Sequence, residues 1–184
     1  MLIDDGKGRG NSVGVSDDNM LTTLAITSSL EHYTNHTKGK AFNLLFGATP
    51  ASTGDCFLYI KNSSDIDLIA KGFSLKLAAS EYIDVKLGDI GTPSGGTDIT
   101  PVNLNSGSGV NATGTFQNGA DIISLSGGAT IERYYHLSSV ASLYRNFEQD
   151  VVLKKNGVLT MYAQTGGTVL AGTLVFNYHN NDED

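Results

Sequence analysis

Apolar and polar residues alternate along much of this chain with a period of two. Residues 66–79 (IDLIAKGFSLKLAA) place Phe73, Leu75 and Leu77 on one side and Ser74 and Lys76 on the other. Residues 81–87 repeat the device, with Ile83, Val85 and Leu87 set against Tyr82, Asp84 and Lys86. Successive side chains of an extended chain point to opposite faces, so such alternation predicts half-buried antiparallel strands. Shorter runs of the same kind occupy residues 21–29, 40–47, 56–62 and 130–139, and a closing run covers residues 168–179. Residues 140–147 (VASLYRNF) fit either a strand or one helical turn. Between the runs DVVLKK and VLTMYAQ stands Asn156-Gly157, whose tolerance of positive φ predicts a two-residue β-hairpin.

The ends and the middle lack this periodicity. Residues 1–19 hold only isolated Val13 and Val15 among the glycines Gly6, Gly8, Gly10 and Gly14, and read as a flexible N-terminal arm. Residues 20–179 form one β-domain, and residues 180–184 (NNDED) an acidic tail. Residues 88–128 are dense in Gly, Ser, Thr and Asn and predict long loops, where contacts usually reside. Eight to ten short strands with little helix imply an all-β fold, a single antiparallel β-sandwich of jelly-roll type.

Composition agrees. The 184 residues include 22 Gly but only 3 Pro, and 17% are charged. A chain of this length buries roughly 70% of its unfolded surface, enough for a core without disulfides or metals. The formal net charge of −7 argues against nucleic acid and anionic membranes as partners. The single Cys56 cannot form an internal disulfide and reads as a small buried hydrophobe on a strand. The opening MLIDDGKG has acids where a secretion signal is basic, and no apolar run approaches a membrane span. Three N-x-[ST] sequons, at Asn35, Asn62 and Asn111, are expected by chance in a chain so rich in Asn, Ser and Thr.

The stretch DDGKGRGN (residues 4–11) resembles a phosphate loop only in its glycines. No strand precedes it, no helix follows, and there is no Gly-Lys-Ser/Thr. Lys7 breaks the alternation of acids that a calcium loop needs, which leaves Asp4, Asp5, Asp17 and Asp18 as a looser set at most. His32 and His36 have the i, i+4 spacing of zinc ligands on a helix. Their segment is a poor helix former, however, and His136 and His179 stand alone. There is no G-x-S-x-G elbow. Glu81 with Asp84, or Glu132 with Glu148, are nominal carboxylate pairs that no spacing singles out. Tyr33, Tyr82, Tyr134, Tyr135 and Tyr144 suit packing or an interface. The residues therefore imply no catalytic, cofactor or metal site, and Asp5, Lys7, Arg9 and Asn11 remain as partner-binding residues of the arm.

The order of several motifs resembles a group of small virion structural proteins of tailed bacteriophages. Those motifs are DGKGRGN (residues 5–11), DNML (18–21), LYIKN (58–62), DLI (67–69) and TPVNLNSGS (100–108). The resemblance spans about residues 4 to 110, and Met20 stands where Arg is common, so that Arg's contact does not carry over. It implies a β-sandwich displayed on the phage head as a capsid decoration, or cement, protein. Such a protein would form homotrimers on the major capsid protein, after assembly in the bacterial cytoplasm. A receptor- or glycan-binding module of a tail or head fibre is the alternative, and a hydrolase the third.

Overall fold

The computed structural model describes residues 2–4, 12–14, 30–138 and 142–179. The arm residues Asp5, Lys7, Arg9 and Asn11, the expected strand at 21–29 and the tail 180–184 lie outside them. Within the first 19 residues, where the sequence predicted no strand, β1 (Leu2–Asp4) and β2 (Ser12–Gly14) pair antiparallel, with Ile3 opposite Val13.

The body is an all-β sandwich of two antiparallel sheets with one short helix, α1 (Leu30–His36). In chain order the strands are β3 (Ala41–Ala48), β4 (Asp55–Asn62), β5 (Asp67–Leu77) and β6 (Glu81–Leu87). There follow β7 (Thr97–Asp98), β8 (Val102–Asn103), β9 (Gly114–Asn118) and β10 (Ala129–His136). The last three are β11 (Leu143–Leu153), β12 (Val158–Ala163) and β13 (Leu170–His179). One sheet runs β10-β6-β12-β4-β9-β7 and the other β11-β5-β13-β3-β8. Besides the long β5–β13 pair and the β6–β12 pair, four antiparallel pairs link strands across the chain: β3 with β13, β4 with β12, β5 with β11 and β6 with β10. The period-two runs put their apolar sets between the sheets. There Phe42, Phe116 and Phe176 stack, with ring centroids 5.4–5.5 Å apart around Phe176.

Two local expectations are corrected. Asn156-Gly157 does not close a hairpin, because β11 and β12 belong to different sheets. The turn is an arch from one sheet to the other, with Gly157 N–H donating to the Lys154 carbonyl (2.7 Å). Asn156 takes positive φ (66°), as at the third position of a type II turn. The segment around His32 and His36, read as a poor helix, is helical. Tertiary contacts supply what propensity lacks. The Asn105 carboxamide donates to the carbonyls of Asn35 (3.0 Å) and His36 (3.3 Å), and Gly39 turns the chain away at φ +60°.

A second layer covers the outer face of the six-stranded sheet. Cys56, Tyr59, Val158 and Tyr162 form a small apolar cluster there with Ile122, and Leu125 packs against it. Residues 119–128, which supply Ile122 and Leu125, are tied to the loop after β6 by bridges Ile90–Ser126 and Ser94–Ile123. That is why β12 is buried along its whole length. Among the described residues no helix is long and apolar enough to cross a membrane.

Candidate functional site

The two sheets stay apart on one side, where β10 and β11 are their edges. Between them runs a groove of about 480 Å3, lined by Ile131 and Glu132 from β10 and by Arg145, Phe147, Glu148 and Val151 from β11. The register of β11 against β5 jumps from Asn146–Gly72 to Val151–Ala70, so residues 147–150 leave the ladder and widen the groove. The Arg145 guanidinium lies over the Tyr134 ring, 4.7 Å from its centroid, and that ring meets Phe73 edge-on.

The nominated carboxylates part company here. Glu132 and Glu148 do share the groove. Glu81 and Asp84 do not share a site, and both are spent on the fold. Glu81 accepts from the Thr165 and Gly166 N–H groups (2.7 and 2.8 Å), anchoring the β12–β13 turn. Asp84 holds Arg133 through two hydrogen bonds of 2.5 and 2.7 Å across the β6–β10 pair.

The five tyrosines do not form one platform. Tyr134 is buried, Tyr33 belongs to α1 and Tyr144 to β11. Only Tyr82 and Tyr135 come together, as an exposed cross-strand pair with ring centroids 4.5 Å apart. His32 and His36 stack on each other (5.3 Å), while His136 and His179 are buried elsewhere. Among the described residues no three His, Cys, Asp or Glu side chains converge as a metal ion would require.

Cys56 lies under the second layer. Burial pushes its thiol from an ordinary 9.0 up to about 12, and the S–H donates to the Leu58 carbonyl (3.4 Å). A disulfide-exchange probe is therefore expected to leave Cys56 untouched in the native protein at neutral pH and to titrate one thiol after unfolding. Equal rates in the two states would contradict this burial. Burial raises Tyr178 to about 12 as well, and Tyr162 beyond the ordinary tyrosine range. Each of these groups ionises more readily in the unfolded chain, so their stabilisation is complete below about pH 9 and is lost as pH climbs toward 12.

The residues that sequence reasoning undervalued are two asparagines inside the motifs of the phage resemblance. Asn62, which ends LYIKN, is fully buried; its Nδ2 donates to the carbonyls of Ile66 and Leu153 (both 2.9 Å), and its Oδ1 accepts from Ser64 N–H (2.9 Å). Asn103, within TPVNLN, donates to the carbonyls of Gly39 (2.7 Å) and Val110 (2.8 Å) and accepts from Asn105 N–H (2.8 Å). Each ties its own turn to one segment distant in sequence, Asn62 to Leu153 and Asn103 to Gly39. The signal was an Asn at the end of a strand run, which also suits an exposed turn. Burial of Asn62 makes the sequon there a fold residue.

No family model, curated protein or solved structure matches this chain. The functional reading therefore rests on the residues and the motif order.

Proposed function

We propose that this chain is a non-enzymatic structural protein of a tailed-bacteriophage virion, a capsid decoration protein that binds the outer head shell and stabilises it. The observation that carries the reading is the ordered set of motifs in residues 5–108. Two of them supply the asparagines that lock the sandwich, so the resemblance reaches residues that determine the fold. The strand pairing supports a jelly roll. Pairs β3–β13, β4–β12, β5–β11 and β6–β10 amount to one long antiparallel ribbon, folded so that successive strands alternate between the sheets. In this reading the major capsid protein is the partner. The arm, with Asp5, Lys7, Arg9 and Asn11, grips the shell, and copies associate as homotrimers at the head surface.

Removing residues 1–19 tests the arm. The truncated protein is expected to keep its thermal transition and to lose binding to empty shells; decoration at undiminished affinity would refute the arm's role. The exposed Tyr82–Tyr135 pair favours a second reading, a glycan- or receptor-binding module of a fibre. Copy number in purified particles separates the two. Hundreds of copies over the head support decoration, and a dozen or fewer at the tail support the fibre module.

A further inference from the structure

Most sheet edges in this protein are blunted. β7 and β8 are two residues long, and β11 is interrupted between Asn146 and Val151. β10 differs. From Glu132 to His136 it keeps unbroken register with β6, and among the described residues no strand pairs with its other side. A regular open edge of this kind is a template for another strand. The direction of its free groups follows from β6. The Tyr82 carbonyl accepts from Gln164 N–H on the β12 side (2.9 Å), so Tyr82 and Tyr135 do not exchange amide bonds. By the alternation of antiparallel ladders, the N–H and C=O of Tyr135 and of Arg133 point outward from the sheet edge.

The inner face of β10 carries a second, independent sign. Glu132 Oε2 and the Tyr134 hydroxyl are shielded from water without a hydrogen-bond partner. Buried polar atoms are seldom left this way, and here they occupy two successive inward positions of one strand.

We propose that β10 pairs antiparallel with β10 of a second copy of this chain, about a two-fold axis passing beside Tyr134 and normal to the sheet. In that register Arg133 and Tyr135 of the second copy exchange both backbone hydrogen bonds, and so do their symmetry mates. The outer faces then match, with each Arg133, already oriented by Asp84, beside the other copy's Tyr135 ring. At the two ends exposed Ile131 meets exposed Leu137. On the inner face Glu132 comes opposite His136 and the two Tyr134 side chains come opposite each other, which sets polar side chains beside Glu132 and Tyr134. The strand is complementary to itself in charge, in apolar contact and in hydrogen bonding, which is why a second copy is the occupant.

This inference goes beyond the decoration reading and does not depend on it. A two-fold pair also differs in mass from a lone trimer. Sedimentation of the full chain is expected to show twice the 19.4 kDa chain mass, or an even multiple of the chain, at tens of micromolar. The amides of Arg133 and Tyr135 are expected to be protected from hydrogen exchange at that concentration and to exchange on dilution. Tyr135→Pro removes an outward N–H without touching the β6 ladder, and Tyr135→Lys places a cation beside Arg133 of the other copy. Both are expected to halve the mass while the thermal transition of the single chain persists. A single-chain mass at all concentrations would overturn the proposal. So would an oligomer whose mass and amide protection ignore both substitutions. Neither result bears on shell binding, which is measured separately with empty shells.

Discussion

Asn62→Ala is expected to lower the unfolding free energy by about 3–5 kcal/mol, the largest loss from any single polar side chain on the core side of the sandwich. The side chain is fully buried and makes three hydrogen bonds. Truncation leaves the Ile66 and Leu153 carbonyls without their donor and Ser64 N–H without its acceptor, in a space too enclosed for easy rehydration. The backbone of Asn62 adds to the same junction. Its N–H donates to the Gly157 carbonyl (3.0 Å), and its carbonyl accepts from Asn156 N–H (2.8 Å). One residue therefore joins the β4–β5 turn to the β11–β12 arch. Asn62→Asp separates hydrogen bonding from size. It keeps the volume but turns an acceptor toward two carbonyls, so it is expected to cost at least as much as Ala. Equilibrium denaturation with urea measures both. A loss under 1 kcal/mol for either variant would show that water or a local rearrangement replaces these bonds.

The same junction shows how far the sequence could be read. Period-two alternation located β5 and β6 because it reports a property local to each strand, one dry face and one wet. It also located β3, β4, β10 and β13, whose apolar residues stand close together along the chain. Partnership between strands is not local. Asn156-Gly157 announced a reversal of direction, and direction does reverse there. Whether the flanking strands then pair with each other depends on what awaits them elsewhere. β11 finds β5, and β12 finds β4 and β6. Lys154 is held by Asp67 at the start of β5 and Lys155 by Asp65 of the β4–β5 turn, at 2.5 and 2.6 Å. The helix at Leu30–His36 reads as doubtful from its own residues for a related reason, since the carboxamide that satisfies its last carbonyls belongs to Asn105, far along the chain. The candidate site was legible only in parts. Tyr134 and Tyr135 were visible as aromatic, but their opposite faces, one buried under Arg145 and one exposed beside Tyr82, follow from the strand's orientation in the sheet.

Asp89→Ala is expected to cost about 3 kcal/mol and to do so in a recognisable place, the second layer over the six-stranded sheet. Asp89 is buried in the loop after β6. It accepts from the Thr160 hydroxyl (2.5 Å), the Tyr162 hydroxyl (2.9 Å) and Gly128 N–H (2.8 Å). Two of those donors sit on β12 and the third ends the loop that carries Ile122 and Leu125, so the carboxylate is the polar link between sheet and cover. Gly91, two residues on, shows how closely the two loops approach. At its φ of +123° a side chain is already strained, and a Cβ there would overlap the Ser124 carbonyl oxygen. Without the carboxylate, the apolar contacts of Ile122 and Leu125 must hold the cover alone. Asp89→Asn keeps an acceptor for Gly128 and a shape close to the original, and the hydroxyls of Thr160 and Tyr162 can rotate to accept from its amide. Its cost is expected to be nearer 1 kcal/mol. Location is the sharper readout. Cys56 lies beneath this cover, so Asp89→Ala is expected to raise its reactivity toward a disulfide-exchange probe well before global unfolding, while hydrogen exchange in β5 and β13 stays slow. If the thiol became reactive only with global unfolding, cover and sandwich would be a single cooperative unit, and Asp89 would stabilise the whole fold rather than its outer layer.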